Sequence, residues 1–312
     1  MDTDIGTDGG APRLTREGYD GGGMAEWLAG SVHDAVKALA IAIELFAYSA
    51  IFFGFISLLI KGREAFDAAR RAIHEIRFNL TLYLLDAVFI APLLAIAVVF
   101  IRTAVTRYSL GIAGDATWSA IGRPLTFVAV VFVGDFVSYW RHRLEHTRWL
   151  WPAHAIHHSD TQMTWMTLSR FHPINRATTI CVDVTCLAIL GFPAWALVAN
   201  ELVRHYYGEF IHADLPWMYG PLRSVFVSPV MHRWHHARDV TGSGSNFATV
   251  FSVFDRAFGT YYVPGLCLVP LGVTDDVGPG VVRQLVHPFL AWLRALRGPA
   301  RAGHAPVTSQ EG

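Results

Sequence analysis

The residues of this chain that could do chemistry are histidines, and they come in clusters. HRLEH supplies His142 and His146, HAIHH supplies His154, His157 and His158, and HRWHH repeats that second spacing with His232, His235 and His236. On a helix, residues three and four apart stand on one face. A pair at i, i+4 therefore aims two imidazoles at one point, and a triple at i, i+3, i+4 aims three. Eight imidazoles exceed the four ligands of one tetrahedral zinc. They suit two metal ions that take more ligands and keep open positions, and imidazole suits iron and zinc among others. With 15 histidines in 312 residues, a given three-histidine spacing arises by accident about 0.03 times in such a chain. Here it occurs twice.

The other candidates stand around these clusters. His212 in FIHAD lies near the end of the helix that leads into the third cluster and reads as a ninth ligand. His172 in RFHP is a ligand or a supporting group, and His205 either points inward or sits at the surface. Asp135, seven residues before His142 on the same helical face, stands where an acceptor for a ligand imidazole N–H would lie; helix pairing is its competing role. His33, His74, His287 and His304 read as solvent-exposed or interfacial.

Such ligands need helices to carry them, and the composition puts those helices at a membrane. Hydrophobic residues are 53% of the chain and charged residues 16%, with a mean hydropathy of +0.34, on the membrane side of a soluble domain's balance. A formal net charge of zero gives no bulk attraction to nucleic acid. Cys181, Cys186 and Cys267 form no CxxC pair, so neither a disulfide framework nor a thiolate metal site is indicated. Ala38 to Ile60, with Glu44 its one charge, is long enough to span a bilayer. Leu80 to Ile101, containing Asp86 and Pro92, is a second run, and Pro124 to Trp140 is a third that leads straight into the first cluster. Glu44 and Asp86 are costly in lipid and serve either packing or a substrate path. Ala177 to Leu202 is broken by Gly191-Phe192-Pro193, giving either a hairpin in one leaflet or a single tilted span.

Charge asymmetry orients these runs. Lys61 to Phe78 carries five basic residues, against three in Arg102 to Arg123, which places the former in the cytoplasm. The third run then delivers His142 to the cytoplasmic side, and the third cluster can join the same site only if Ala177 to Leu202 returns as a hairpin. The expected fold is an all-α integral membrane protein. About three transmembrane helices and a membrane hairpin stand under a cytosolic helical cap that holds a histidine-rich dimetal site. Residues 1–30 read as a disordered tail, 31–123 as a transmembrane hairpin with its loops, and 124–275 as the catalytic domain. Residues 276–312 read as an amphipathic helix (Val281 to Leu296) with a second disordered tail. No cleavable signal peptide is expected, because the first apolar run starts late and lacks a basic leader.

Three passages carry a resemblance: DFVSYWRHRLEHTRWLWPAHAIHHS, SRFHP, and SPVMHRWHHARDVTGSGSNFATVFSVFDRAFGTYY. Over roughly residues 125 to 265 the chain resembles the fatty acid hydroxylase and sterol desaturase superfamily of integral-membrane di-iron enzymes. Ala248 departs from it, where the family favours Gly. The resemblance implies two iron ions that activate O2 for hydroxylation or desaturation of an unactivated lipid C–H bond. Carried over position by position, it implies His142, His146, His154, His157, His158, His212, His232, His235 and His236 as metal ligands, with no catalytic residue beyond them.

Neutral imidazoles bring no charge to offset two cations, unlike the carboxylates of soluble di-iron bundles. Glu145, Asp160, Glu209, Asp214 and Asp239 lie near enough in sequence to compensate. Asp255-Arg256 reads as a structural ion pair. No dinucleotide fingerprint, flavin or haem motif is present, so two electrons must come from a separate chain, a ferredoxin or a small cytochrome with its reductase. Arg141, Arg143, Arg148, Arg223, Arg233, Arg238 and Arg256 could attract such an acidic partner or pair with lipid phosphates. The implied setting is a multi-pass protein of a bacterial inner membrane with its metal site on the cytoplasmic side. The implied substrate is a sterol, carotenoid, fatty acyl chain or amino-acid-containing lipid. The alternative is a non-redox metal-binding membrane protein: a zinc site, sensor or transporter. A transporter would place its ligands near the bilayer midplane, whereas these histidines follow the apolar runs.

Overall fold

The computed structural model describes residues 21–238 and 244–297, and every regular element in them is helical. Two isolated bridges, Phe226 with Phe251 and Ala237 with Leu271, are the strand-like pairings among the described residues. Residues 1–20, Asp239 and residues 298–312, with His304, lie outside them.

A helical hairpin opens the described chain. α1 (Gly21–Lys61) turns at Gly62 into α2 (Glu64–Leu85), which continues through a π-turn (Asp86–Ile90) into α3 (Ala91–Arg107). Residues 21–30, read above as tail, are therefore helical, and most of Lys61 to Phe78 is helix rather than loop. Beyond Gly62 no Gly or Pro occurs before Pro92, so strong helix formers run without a break. Two stretches, Leu39–Lys61 and Glu64–Arg107, are long and apolar enough to cross a membrane.

The Tyr83 hydroxyl donates to the Ala42 carbonyl at 2.7 Å, which fixes the register of the hairpin. The two apolar runs are consequently staggered, and the apolar part of α1 lies beside the polar part of α2. That polar part grips the rest of the protein. Glu75 pairs with Arg170, Asn79 donates to Asp160 at 2.9 Å, and Asp86 accepts from Nε and Nη2 of Arg176 at 3.1 and 2.9 Å. Asp86 is thus an ion-pairing acid between elements, while Glu44 accepts from the Tyr48 hydroxyl at 2.6 Å.

After α4 (Asp115–Ile121), α5 (Arg123–Glu145) contains the third apolar run. It is not one of the two stretches that meet the length and hydropathy of a span. Its inner face buries Asp135, Ser138 and Arg141. α6 (Trp151–His158), a 3-10 turn (Trp165–Ser169), α7 (Pro173–Thr179), a π-turn (Ile180–Val184) and α8 (Thr185–Ile189) follow. The chain then reverses into α9 (Ala194–His212), at the break that Gly191-Phe192-Pro193 marks in the sequence. Gly191 has φ of +73°, and a Cβ there would overlap the Ala113 carbonyl, so no other residue fits without strain. α9 packs on α5, with Gly134 so close to the Asn200 side chain that a Cβ has no room.

α10 (Pro229–His235), α11 (Val253–Ala257) and α12 (Val281–Leu296) complete the fold. α12 packs on α6 and α2 and turns Val282, Phe289 and Leu293 outward. His287, expected at the surface, is buried on its inner face. Behind the histidines, Tyr139, Ile211, Val227, Met231, Phe247 and Phe254 form the core on which α5, α9, α10 and α11 meet.

Candidate metal centre

Each histidine cluster sits at the end of a helix, and the sequence dictates where those helices start and stop. α6 and α10 carry proline in their first turn, where its missing N–H costs nothing. Ser228 caps α10 by accepting from the Met231 N–H at 3.1 Å. All nine histidines named above then fall at or near C-terminal turns or caps: His142 and His146 on α5, three on α6, His212 on α9, and His232, His235 and His236 on α10. Four helix C-termini therefore converge on one point. Their unpaired carbonyl ends carry partial negative charge, which favours cations there and offsets what neutral imidazoles do not.

The structure brings the nine together in two abutting groups. His142, His146, His154, His158 and His235 form one, and His157, His212, His232 and His236 the other, with the ligand atoms of each group within 4.8 Å of one another. The His158 and His236 rings stack at 4.3 Å where the groups meet. His142 Nε2 is 3.0 Å from Nε2 of both His154 and His235. His212 Nε2 is 2.9 Å from His232 Nε2 and 3.2 Å from His157 Nε2. Two ligands each about 2.1 Å from one ion stand ~3.0 Å apart across a right angle and ~3.4 Å apart across a tetrahedral angle. The separations of 2.9–3.0 Å match the right angle, and the 3.2 Å separations of His157 from His212 and of His154 from His158 fall between the two.

Hydrogen bonding fixes which nitrogen is free. His142 Nδ1 lies 2.7 Å from the Phe247 carbonyl, His235 Nδ1 2.6 Å from the Ser245 carbonyl, and His212 Nδ1 2.6 Å from the Gly208 carbonyl. A carbonyl only accepts, so Nδ1 bears the proton and Nε2 presents a lone pair. His142 and His235 thus point lone pairs at each other, an arrangement that requires a cation between or beside them. His146 Nε2 and both ring nitrogens of His236 are buried with no partner at all, a costly state for polar atoms that metal ligation removes. Burial also holds the imidazoles of His142, His146, His154, His157, His158, His232 and His236 well below the usual histidine range. It lowers His235 to about 4 and His212 to about 3, so all nine are neutral at pH 7. The chemistry of the donor set fits a metal ion in either group.

The surrounding acids sort differently from their sequence positions. His154 Nδ1 meets the Asn175 side-chain amide at 3.2 Å, and Glu145 Oε2, 3.5 Å away, fits the compensating role. Asp160 accepts from Asn79, Gln162 and Thr167, Glu209 from Ser49, and Asp214 pairs with Lys61 and Arg233. None of these three touches a clustered imidazole. Asp135 does not meet an imidazole either: it accepts the backbone N–H groups of Thr249, Val250 and Phe251 at 2.7–3.1 Å. Nor does Asp255 pair with Arg256. It accepts the N–H groups of Phe247 and Ala248, while Arg256 lies 3.8 Å over the Tyr261 ring. Both aspartates instead hold the 245–251 loop, whose carbonyls fix His142 and His235. Ala248 takes no positive φ, so the position has no need of glycine.

His172 stands apart from both groups. Its Nδ1 caps α7 by accepting from the Ile174 N–H, and its Nε2 lies 3.0 Å from the Leu285 carbonyl. His205 is 38% exposed, near Glu209 rather than the groups, and His74 is exposed. Two openings reach the centre. One, of about 120 Å³, is lined by His142, His154, His157, His212 and His232 together with Arg141, Arg204 and Glu201. The other, of about 590 Å³, reaches His146, His158 and His235 past Arg148, Trp151 and Asp275.

Residues 127–260 match the fatty acid hydroxylase family. The chain is 30% identical over 170 residues to ornithine lipid hydroxylase OlsE of Rhizobium tropici, covering 53% of this chain and 51% of that one. It is 30% identical over 170 residues to alkylglycerol monooxygenase of Danio rerio (53% and 37%). It is 26% identical over 151 residues to methylsterol monooxygenase 2-2 of Arabidopsis thaliana (46% and 54%). The chain thus spans about half or less of the length of these relatives. No solved structure matches it.

Proposed function

Because residues 127–260 are a fatty acid hydroxylase domain, which makes this chain a member of the fatty acid hydroxylase and sterol desaturase superfamily, we propose that it is a membrane-bound di-iron lipid oxygenase. The observation that carries the proposal is the pair of abutting histidine groups, five imidazoles in one and four in the other. Two irons held there would supply O2 activation, given two electrons from outside the chain. The imidazoles' part is to stay neutral and fixed. His142, His212 and His235 keep their Nδ1 protons on backbone carbonyls, so each Nε2 lone pair faces inward without a proton to lose.

The relatives named as hydroxylase and monooxygenases act, by those names, on ornithine lipid, alkylglycerol and methylsterol. On their example the substrate here is a lipid entering from the bilayer, and hydroxylation is favoured over desaturation. We assign the opening toward Arg141 and Glu201 to the lipid. The opening past Arg148 and Trp151 is assigned to the face where an iron–sulfur or small haem donor docks, on the cytoplasmic side of a bacterial inner membrane. A zinc site with a sensing or transport role is the weaker reading, because five imidazoles in one group exceed a tetrahedral set. Elemental mass spectrometry with Mössbauer spectra of iron-57-grown protein tests the assignment. Two exchange-coupled irons per chain are expected, and zinc persisting under iron supplementation would remove the redox mechanism.

A further inference from the structure

A cleft of about 480 Å³ runs between α1 and α2, and none of the nine clustered histidines lines it. Its size is that of a site for a small molecule or a chain. One wall is the face of α1 that carries Ala50, Phe53, Gly54 and Ser57, three and four residues apart. Across from it α2 presents Ala65, Ala69 and Ala72, whose methyl groups are too short to close the gap. Trp165, stacked on Phe53 at 5.5 Å, backs the cleft together with the buried Met163 and Met166. A Cβ placed on Gly54 meets nothing within 4 Å, so the space beside α1 is open. Such an interior is apolar and suits methylenes.

The lining changes character where the apolar stretch Leu39–Lys61 ends. Lys61, Arg71 and Arg233 stand there with a single carboxylate, Asp214. That carboxylate is shared: Lys61 pairs with one oxygen, and Arg233 Nη1 lies 3.1 Å from the other. Arg71 reaches back along α2 to Glu64, 4.0 Å away, and both are well exposed, a pairing that contributes little. Three cations therefore meet two carboxylates, with one cation loosely held. Cations at the metal centre add to the same sign, since Ala213, which lines the cleft, follows His212 directly.

An apolar slot that ends in surplus positive charge, at the level where a span ends, has a matching occupant. Lipid phosphates lie at that level, and anionic lipids are attracted to basic residues there. We propose that the α1–α2 cleft binds an anionic phospholipid, with an acyl chain along Phe53 and Trp165 and the phosphate at Lys61 and Arg71. The site is separate from the metal centre and requires a membrane, not the oxygenase reading.

The test counts lipids on the intact protein. Metal-loaded full chain in dodecyl maltoside micelles is given increasing mole fractions of phosphatidylglycerol or phosphatidylcholine with the same acyl chains. Native mass spectrometry then counts the lipid retained per chain. The two lipids share a phosphate and differ by one net charge. One retained phosphatidylglycerol per chain is expected, half-saturating at a mole fraction about tenfold below that of phosphatidylcholine. Gly54→Leu fills the cleft with a good helix former and should raise that half-saturation about tenfold. Arg71→Glu should bring the two lipids level, with metal content and elution volume unchanged in both variants. Glycerol 3-phosphate in large excess, a phosphate without a chain, should displace nothing. Four outcomes overturn the proposal: equal retention of the two lipids, retention unaffected by Gly54→Leu in folded protein, displacement by glycerol 3-phosphate, or a dimer that Gly54→Leu dissociates. Metal identity enters none of them, so their failure and that of the oxygenase reading are distinct.

Discussion

Glu145 Oε2 lies 3.5 Å from Nδ1 of His154, on the side of the ring away from the other imidazoles. The carboxylate is held in place by Arg141 Nη1 at 2.9 Å and by the Thr178 hydroxyl. It is therefore a carboxyl group fixed behind one imidazole of the five-histidine group, beside the Asn175 amide. Such a partner orients the ring and raises its basicity, and losing it typically costs about 10–100-fold in metal affinity. Glu145→Gln keeps the shape and removes the charge. The variant is expected to lose metal to a chelator at ~10–100-fold lower concentration than the native protein, and an unchanged competition curve would reduce Glu145 to a partner of Arg141.

Asp135 offers a different kind of support. Its two oxygens accept three backbone N–H groups from Thr249, Val250 and Phe251, and the residue is fully buried. Hydrogen bonds to a charged group contribute about 1.5–3 kcal/mol each, and a donor left buried and unpaired costs about as much. Asp135→Ala should destabilise the fold by ~3–5 kcal/mol. It should also loosen the Phe247 carbonyl that holds His142, so that metal is lost from the five-histidine group first. Thermal unfolding of the variant with and without added metal measures both effects. A melting point within a degree or two of native would show that the loop needs no anchor.

The imidazoles also set a pH dependence for the metal-free protein. Burial lowers His235 to about 4 and His212 to about 3, against about 6.5 in an unfolded chain. Between those values the unfolded state binds more protons, so stability is full above pH ~6.5 and falls as pH drops toward 4. Asp255 and Glu209, raised by burial to about 6 and about 7, and Asp135, also raised by burial, work in the opposite sense, but they are three carboxyls against nine imidazoles. Metal-free protein should therefore melt lower at pH 5 than at pH 7.5, with the metal-loaded form less affected across that range because ligation excludes the proton. Equal shifts in the two forms would mean that the histidines are not the groups responsible.

Eight of the nine clustered histidines were legible because i, i+4 and i, i+3, i+4 spacings have one geometric meaning on a helix, and because Pro and Ser mark where α6 and α10 begin; His212 was legible only from its place at the end of the helix leading into the third cluster. The reversal at Gly191 was legible for the same local reason. The roles of Asp135 and Asp255 were not. Their partners lie in the 245–251 loop, and no spacing within α5 could show that a carboxylate two turns from His142 reaches 114 residues along the chain to Thr249. The grip of α2 on the centre, through Glu75 with Arg170 and Asn79 with Asp160, was hidden likewise. A positively charged stretch beside an apolar run reads as a loop until its inward-facing residues find partners.

The sharpest remaining distinction lies among the histidines themselves. His157 belongs to the four-histidine group, stacks on Phe171 at 4.6 Å and points Nε2 at His212. His172 is equally histidine and nearly as buried, yet both its nitrogens are already used, by the Ile174 N–H and the Leu285 carbonyl. Removing a ligand from a group of four should empty that position, because no spare imidazole lies within reach. His157→Ala is therefore expected to retain about one metal per chain and His172→Gln about two. The second variant should lose stability instead, on the order of 1 kcal/mol for the lost helix cap. Elemental analysis of the two purified variants beside the native protein decides the matter, and a His172→Gln protein missing one metal would show that the centre extends beyond the nine.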